Sequence, residues 1–264
     1  MNDRRIPDYS VHGEGATTIF LLHGAYGSKE YWRYLIEALT AKGYRCVAWD
    51  APGYGISPQP EVFTIESAAR AFIELLDAAG SDRNVVLGHS TGGCIAQKAY
   101  DLAPTAMSAL VLSSTFHTFN HSGPEWQEYF MNTRMAPITR GKTIAEYAPD
   151  LLRAVMGPGA AGPAVDWILV NVKMMSNESF KAAIGALSQY AGEDILPRIR
   201  IPTLCIAGEL DITCPPNVMK KMSEMIPDGE YYEVSGVGHF GWAERQDEYL
   251  AALSKFLQSK RLNN

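Results

Sequence analysis

One stretch, Asn84–Gln97 (NVVLGHSTGGCIAQ), constrains the fold of this chain more than any other. Val85, Val86 and Leu87 fit a strand buried in a parallel sheet, and Ile95, Ala96, Ala99 and Tyr100 fall at helical spacing on one face. Between them Gly88-His89-Ser90-Thr91-Gly92 must make a tight, strained turn, with glycine two residues either side of the serine so that nothing collides with the neighbouring strand and helix. Such a turn pushes the Ser90 hydroxyl out of the sheet. It also aims the Thr91 N–H and the positive end of the helix at the same point, where a developing oxyanion needs donors.

The rest of the chain repeats strand and helix around this unit. Tyr9–Val11 can supply a short leading strand, and Thr17–Leu22 (TTIFLL) reads as a strand covered on both faces. The glycine-rich loop His23-Gly24-Ala25-Tyr26-Gly27-Ser28 leaves it at the edge where open α/β sheets bind ligands. A helix over Lys29–Lys42, a strand over Tyr44–Trp49, a helix over Thr64–Ala79 and a strand over Ala109–Leu112 follow. The alternation then stops. Helical stretches near 124–134, 142–156, 163–175 and 178–190 read as a lid laid over the sheet's carboxyl edge. Ile201–Ala207 resumes the sheet, a helix opens at Pro215-Pro216, Glu230–Val234 is the last strand, and Asp247–Leu257 closes as an amphipathic helix. The fold class expected is α/β, a mostly parallel, doubly wound sheet with an inserted helical lid: 1–116 and 197–264 form the core and 117–196 the lid.

With 47% hydrophobic and 20% charged residues, 264 residues suffice for one large core needing no staples. A net charge of -6 argues against nucleic acid and anionic membrane as partners. Cys46, Cys94, Cys205 and Cys214 show no Cys-x-x-Cys spacing and are expected as buried free thiols, Cys94 packed on the helix after Ser90. Neither a secretory leader nor an apolar run near 18 residues is visible, so the location expected is cytoplasmic. Oligomeric state is not readable.

Ser90, Asp211 and His239 each stand in the loop after a predicted parallel strand, which brings them to one edge of one sheet. That arrangement suits acyl transfer, because a serine hydroxyl needs a base and the base needs a carboxylate to fix its tautomer. Glu209 is the weaker candidate acid. His23 is expected to prop the loop after the first long strand, and His89 to be packed rather than catalytic. His117 and His121, four apart, lack an evident third ligand for a metal.

The order Ser90, Asp211, His239, with the segments LLHGAYGS, WDAPGYGIS, GHSTGG, AGELDITCPP and GVGHFGWAE, resembles the α/β-hydrolase superfamily over essentially the whole chain. The short N-terminus, the lid length and AGELDITCPP are similar to small bacterial carboxylesterases and enol-lactone hydrolases of the serine-nucleophile branch. The resemblance implies Ser90 as nucleophile, His239 as base, Asp211 as orienting acid and the backbone amides of Ala25 and Thr91 as oxyanion hole. It implies a serine hydrolase that cleaves a small to medium, largely apolar ester or lactone through an acyl-enzyme, with no cofactor and no metal. Alternatives are a carbon-carbon hydrolase of a dioxo acid, for which Arg134 or Arg153 could anchor the acid although both default to solvated lid charges, and a non-catalytic ligand receptor. The aromatic and Met content of the lid suggests an apolar pocket, with Tyr26, Trp126, Phe130, Met135, Met174 and Phe240 as candidate lining.

Overall fold

A computed structural model describes residues 6–263. Seven strands form one sheet: β1 (Tyr9–His12), β2 (Thr17–Leu22), β3 (Arg45–Trp49), β4 (Arg83–His89), β5 (Ala109–Ser113), β6 (Thr203–Gly208) and β7 (Gly229–Val234). Their spatial order is β1-β3-β2-β4-β5-β6-β7, with β1 antiparallel to β3 and every other pairing parallel. The apolar, β-branched runs that lack alternation are the central strands. Every residue of β2 is buried, with Ile19, Phe20, Leu21 and Leu22 fully so, and burying each such side chain contributes about 1.5–3 kcal/mol.

Helices α1 (Arg33–Thr40), α2 (Ile65–Ala79) and α3 (Thr91–Leu102) follow β2, β3 and β4. The helix expected over Lys29–Lys42 is split, its first turn being a tighter 3-10 turn at Lys29–Trp32. Thr64 caps α2 by accepting from the Ser67 N–H, while the Ser67 hydroxyl accepts from the Thr64 N–H. After β2 the chain steps to β3 on one side, then crosses back to β4 and continues β5, β6, β7 on the other. The loops leaving β2 and β4 therefore flank the crevice where the winding direction reverses, the place an open α/β sheet offers a ligand.

Between β5 and β6 lie α4 (Gly123–Thr139), α5 (Ile144–Val155), α6 (Pro163–Asn171) and α7 (Asn177–Ser188), the helical lid. The two ends of this insertion are tied together. Thr118 pairs with Ala191, Phe119 N–H donates to the Tyr190 carbonyl at 2.9 Å, and Gly192 N–H donates to the His117 carbonyl at 2.7 Å. The chain finishes with α8 (Pro216–Met225), the short α9 (Gly241–Glu244) and α10 (Gln246–Ser259). No helix among the described residues is long and apolar enough to cross a membrane.

Two glycines permit the close approaches on which the site depends. A Cβ on Gly92 would stand 2.1 Å from the Leu22 carbonyl oxygen, so α3 can start against the end of β2 only without a side chain there. A Cβ on Gly208 would stand 2.0 Å from the Gly238 carbonyl oxygen, so the loops after β6 and β7 can touch only at glycine.

Candidate active site

Ser90 sits between β4 and α3 with φ 55° and ψ -120°, a left-handed backbone that costs a non-glycine residue about 1–3 kcal/mol. The strain is held by its surroundings: Ser90 N–H donates to the Ser113 carbonyl at 3.0 Å, and the Ser90 carbonyl accepts from the Thr115 hydroxyl at 2.7 Å. Thr91 opens α3, so its N–H has no acceptor within the helix. Ala25 lies across the crevice in the loop after β2. That loop is propped by His23, whose Nδ1–H donates to the Gly24 carbonyl at 2.8 Å while Nε2 accepts from the Ala51 N–H at 3.0 Å.

His239 follows β7 and Asp211 follows β6. His239 Nδ1–H donates to Asp211 Oδ2 at 2.8 Å, and Asp211 Oδ1 accepts from the N–H groups of Thr213 at 2.8 Å and Cys214 at 2.9 Å. Both side chains are buried. Glu209 turns away and accepts from Gly236 N–H at 2.7 Å on the surface.

The His239 backbone is pinned from three sides. Its N–H donates to the Val155 carbonyl at the end of α5 at 2.9 Å, and its carbonyl accepts from His89 Nε2–H at 2.8 Å. Glu244 clasps the flanking residues, its carboxylate accepting from the N–H groups of Gly238 at 2.9 Å, Phe240 at 2.9 Å and Gly157 at 2.7 Å. One carboxylate thus fastens the histidine loop to the lid. The sequence reading missed Glu244, and only its place five residues after His239 could have suggested it.

His89 is a packed, neutral imidazole. With its proton on Nε2, Nδ1 accepts from the Tyr31 hydroxyl at 3.0 Å, and that hydroxyl in turn accepts from Gly24 N–H at 2.9 Å. Burial, then the neighbouring His239, hold its pKa well below the usual histidine value, and burial also lowers that of His23. Both imidazoles therefore stay neutral in the folded chain under conditions that protonate them in the unfolded one. Below the unfolded value near 6.5 the unfolded state binds the extra proton, so stability falls as pH falls. For His89, fully buried, the loss grows as pH falls below that value. Thermal melts are expected to drop by several degrees between pH 7 and pH 5; superimposed melts would show that these imidazoles are not held neutral.

Above the sheet edge Ala25, Ser90, Thr213 and His239 form the floor of a hollow roofed by Phe130 and Arg134 of α4, Leu151, Leu152 and Val155 of α5, and Ile184 and Leu187 of α7, with Tyr26 at its side. It encloses only about 20 Å³ of free space, so the lid stands closed on it. A larger cavity of about 500 Å³ lies elsewhere, between residues 62–66 and α7. The chemistry is not there, since neither Ser90 nor His239 lines it.

Of the lining residues expected from sequence, Tyr26 and Phe130 border the hollow, and Phe240 borders a narrow extension of it beside His89. Trp126 belongs to an aromatic cluster behind the roof, 4.9 Å from the Phe130 ring and 4.2 Å from the His121 ring, with Nε1–H donating to the Ile212 carbonyl at 3.3 Å. Met135 is half-buried against the core outside the wall. Met174 is 86% exposed and borders a separate groove with Ser28 and Ser179. Leu151, Leu152, Ile184 and Leu187 are wall residues the sequence reading did not name, because which face of a lid helix looks down is set by tertiary packing.

The description "alpha/beta hydrolase fold" matches residues 17–149, and the chain belongs to that family. The non-heme bromoperoxidase BpoC of Mycobacterium tuberculosis is 26% identical over 264 residues, covering 95% of this chain and 97% of the relative. Proline iminopeptidase of Lactobacillus helveticus is 28% identical over 274 residues, covering 94% and 93%. The crystal structure of BpoC superposes with a TM-score of 0.85 at 23% identity, covering 96% of each chain, a likeness of fold.

Within that family the expected serine-nucleophile assignment is corrected. The structure brings His239 and Asp211 together, and beside them it places a thiol. The Asp211 carboxylate, Cys214 sulfur and His239 imidazole lie within 4.8 Å of one another, all buried. This buried Asp211–Cys214–His239 cluster argues against the serine hydrolase, the serine esterase with its catalytic triad, and the ester or lactone mechanism read through them, and with them the likeness to serine carboxylesterases and enol-lactone hydrolases. The physical reason is local. The turn after Asp211 folds the amides of Thr213 and Cys214 back onto Oδ1, and this carries the Cys214 side chain beside the same carboxylate.

Cys214 is fully buried, and burial, then Asp211, push its thiol well above the usual value. The thiol therefore keeps its proton at rest. As a cation site the cluster is weak, because Nδ1 and Oδ2 are committed to each other, Oδ1 accepts two amides, and zinc or a softer ion calls for a thiolate.

Proposed function

We propose that this chain is an enzyme of the α/β-hydrolase fold that acts on a small molecule from the buried Asp211–Cys214–His239 cluster. The observation that carries the reading is the convergence of an oriented imidazole, its carboxylate and a protonated thiol at the sheet's carboxyl edge, with His239 bordering the hollow under the lid. His239 is the proton acceptor, Asp211 fixes its tautomer and stabilises the imidazolium, and Cys214 is the cluster member whose proton the imidazole can take. Ser90 enters as a residue facing the substrate across the floor of the hollow, with the amides of Ala25 and Thr91 as donors to negative charge developing on a carbonyl oxygen.

The named activities of the relatives diverge, so the substrate class is drawn from the pocket: a small molecule with an apolar body. Residues 117–196 serve as the lid over that pocket and the remainder as the core. Four buried free thiols support work in a reducing compartment such as the cytoplasm, and the net charge of -6 supports neither nucleic acid nor an anionic membrane as partner.

The test is turnover of a panel of small activated acyl compounds by the purified chain and by His239→Gln. Turnover by the wild type that falls at least about 10³-fold in the variant is expected. Equal rates in the two proteins would remove the cluster from the chemistry.

A further inference from the structure

Arg134 hangs from α4 into the roof of the hollow and is 4% exposed. Its Nη1 donates to the Thr133 hydroxyl at 3.0 Å and the Phe130 carbonyl at 3.4 Å, its Nη2 donates to the Thr213 hydroxyl at 3.3 Å, and the guanidinium lies 3.7 Å over the Phe130 ring. All of these partners are neutral, and among the described residues no carboxylate forms an ion pair with Arg134. Asp211, two residues from Thr213, is already committed through both oxygens to His239 and to two amides. A guanidinium withdrawn from water without a counter-charge is costly to keep, and its planar fork matches a carboxylate.

A second, independent feature points the same way. Tyr26 borders the same hollow, and its hydroxyl is buried with no hydrogen-bond partner. Burial raises its pKa, so the phenol remains an O–H donor. The residues that carry an uncompensated cation and an uncommitted donor thus border one small space whose other walls include Leu151, Leu152, Ile184 and Leu187.

We propose that the molecule this site takes carries a carboxylate, seated between the Arg134 guanidinium and the Tyr26 hydroxyl, with an apolar body lying under the lid and its reacting group toward His239. Arg134 is then the specificity-determining residue. The proposal rests on reading the hollow as the substrate site and narrows the substrate class to small apolar acids. A closed hollow this tight also requires the lid to give when such a molecule enters.

The experiment is binding, not turnover, so that it can fail separately from the catalytic reading. Butyrate and its neutral counterpart butyramide are titrated, at equal ionic strength held with chloride, into wild type, His239→Gln, Arg134→Met and Tyr26→Phe, with calorimetry and thermal shift as readouts. Butyrate is expected to bind wild type and His239→Gln saturably and butyramide to bind far more weakly. Arg134→Met is expected to weaken butyrate about 10- to 100-fold, and Tyr26→Phe about 3- to 10-fold, as loss of charged and neutral hydrogen bonds implies. Arg134→Met is also expected to melt no lower than wild type, because a buried unpaired charge is gone, whereas a merely structural arginine would leave a less stable protein with unchanged acid preference. No butyrate binding to wild type, equal binding of acid and amide, or unaltered butyrate affinity in Arg134→Met would overturn the proposal. If Arg134→Met does not fold, the acid-to-amide contrast in wild type together with its reduction in Tyr26→Phe decides the matter.

Discussion

Asp211→Asn is expected to lower kcat by about 10⁴ while leaving the fold intact. The two halves of that statement come from the two oxygens of one carboxylate. Oδ1 accepts the amides of Thr213 and Cys214, and the oxygen of an asparagine can keep both, so the turn after β6 should hold. Oδ2 accepts from His239 Nδ1–H at 2.8 Å. In the variant an amide NH₂ stands there instead, a donor facing a donor, and the imidazole escapes the clash by moving its proton to Nε2. The nitrogen that must receive a proton is then already protonated. A factor of 10⁴ corresponds to about 5.5 kcal/mol of barrier, far beyond what a change confined to side-chain packing would remove from kcat alone. The check is kcat measured beside the melting temperature: a variant that melts like the wild type and turns over within tenfold of it would show that His239 does not depend on Asp211.

The parts of this molecule that were legible in the sequence are those written in local pattern. Non-alternating apolar runs marked β2, β4, β5 and β6, because a strand covered on both faces has no polar side to show. The turn at Ser90 was legible because its glycines are required by sterics within a few residues. The long helical insertion was legible as the place where strand signals stop. What was hidden is what depends on contact between distant segments. Cys214 was taken for a packed thiol, and nothing in its own neighbourhood distinguishes a buried cysteine from one that shares a cluster with a carboxylate and an imidazole from another loop. Arg134 defaulted to solvent for a similar reason: α4 presents no clear apolar stripe, so the face that turns inward could not be chosen, and its guanidinium proves to be roofed over. Met174 went the other way, an apolar side chain that the aromatic and Met content of the lid placed in a pocket and that stands in solvent at the end of a 3-10 turn after α6.

The geometry around the cluster also explains why its members act together. His239 is held through its backbone by Val155 of the lid, by His89 beneath it and by Glu244 alongside, while Asp211 is held by its own turn. Neither side chain is free to compensate for a defect in the other. The contact of the two loops at Gly208 and Gly238 sets the distance between them, so acid and base are positioned by the sheet itself rather than by mobile surface segments.

The second large effect concerns the thiol. Cys214 is fully buried with its proton held on by its surroundings, and the His239 imidazole lies within 4.8 Å of it. If the cluster is the reaction centre, removing the sulfur must cost turnover, on the order of 10² or more, since no other group in the cluster can stand in for it. Cys214→Ser keeps the volume close to native and exchanges the sulfur for a weaker acid, and so should fall between alanine and wild type. The most direct measurement is kcat of Cys214→Ala beside kcat of Ser90→Ala, on one substrate, with melting temperatures to show that both are folded. The expected result is that the cysteine variant suffers the larger loss. A Cys214→Ala enzyme turning over at the wild-type rate beside an inactive Ser90→Ala would contradict the account and return the reaction to the hydroxyl between β4 and α3.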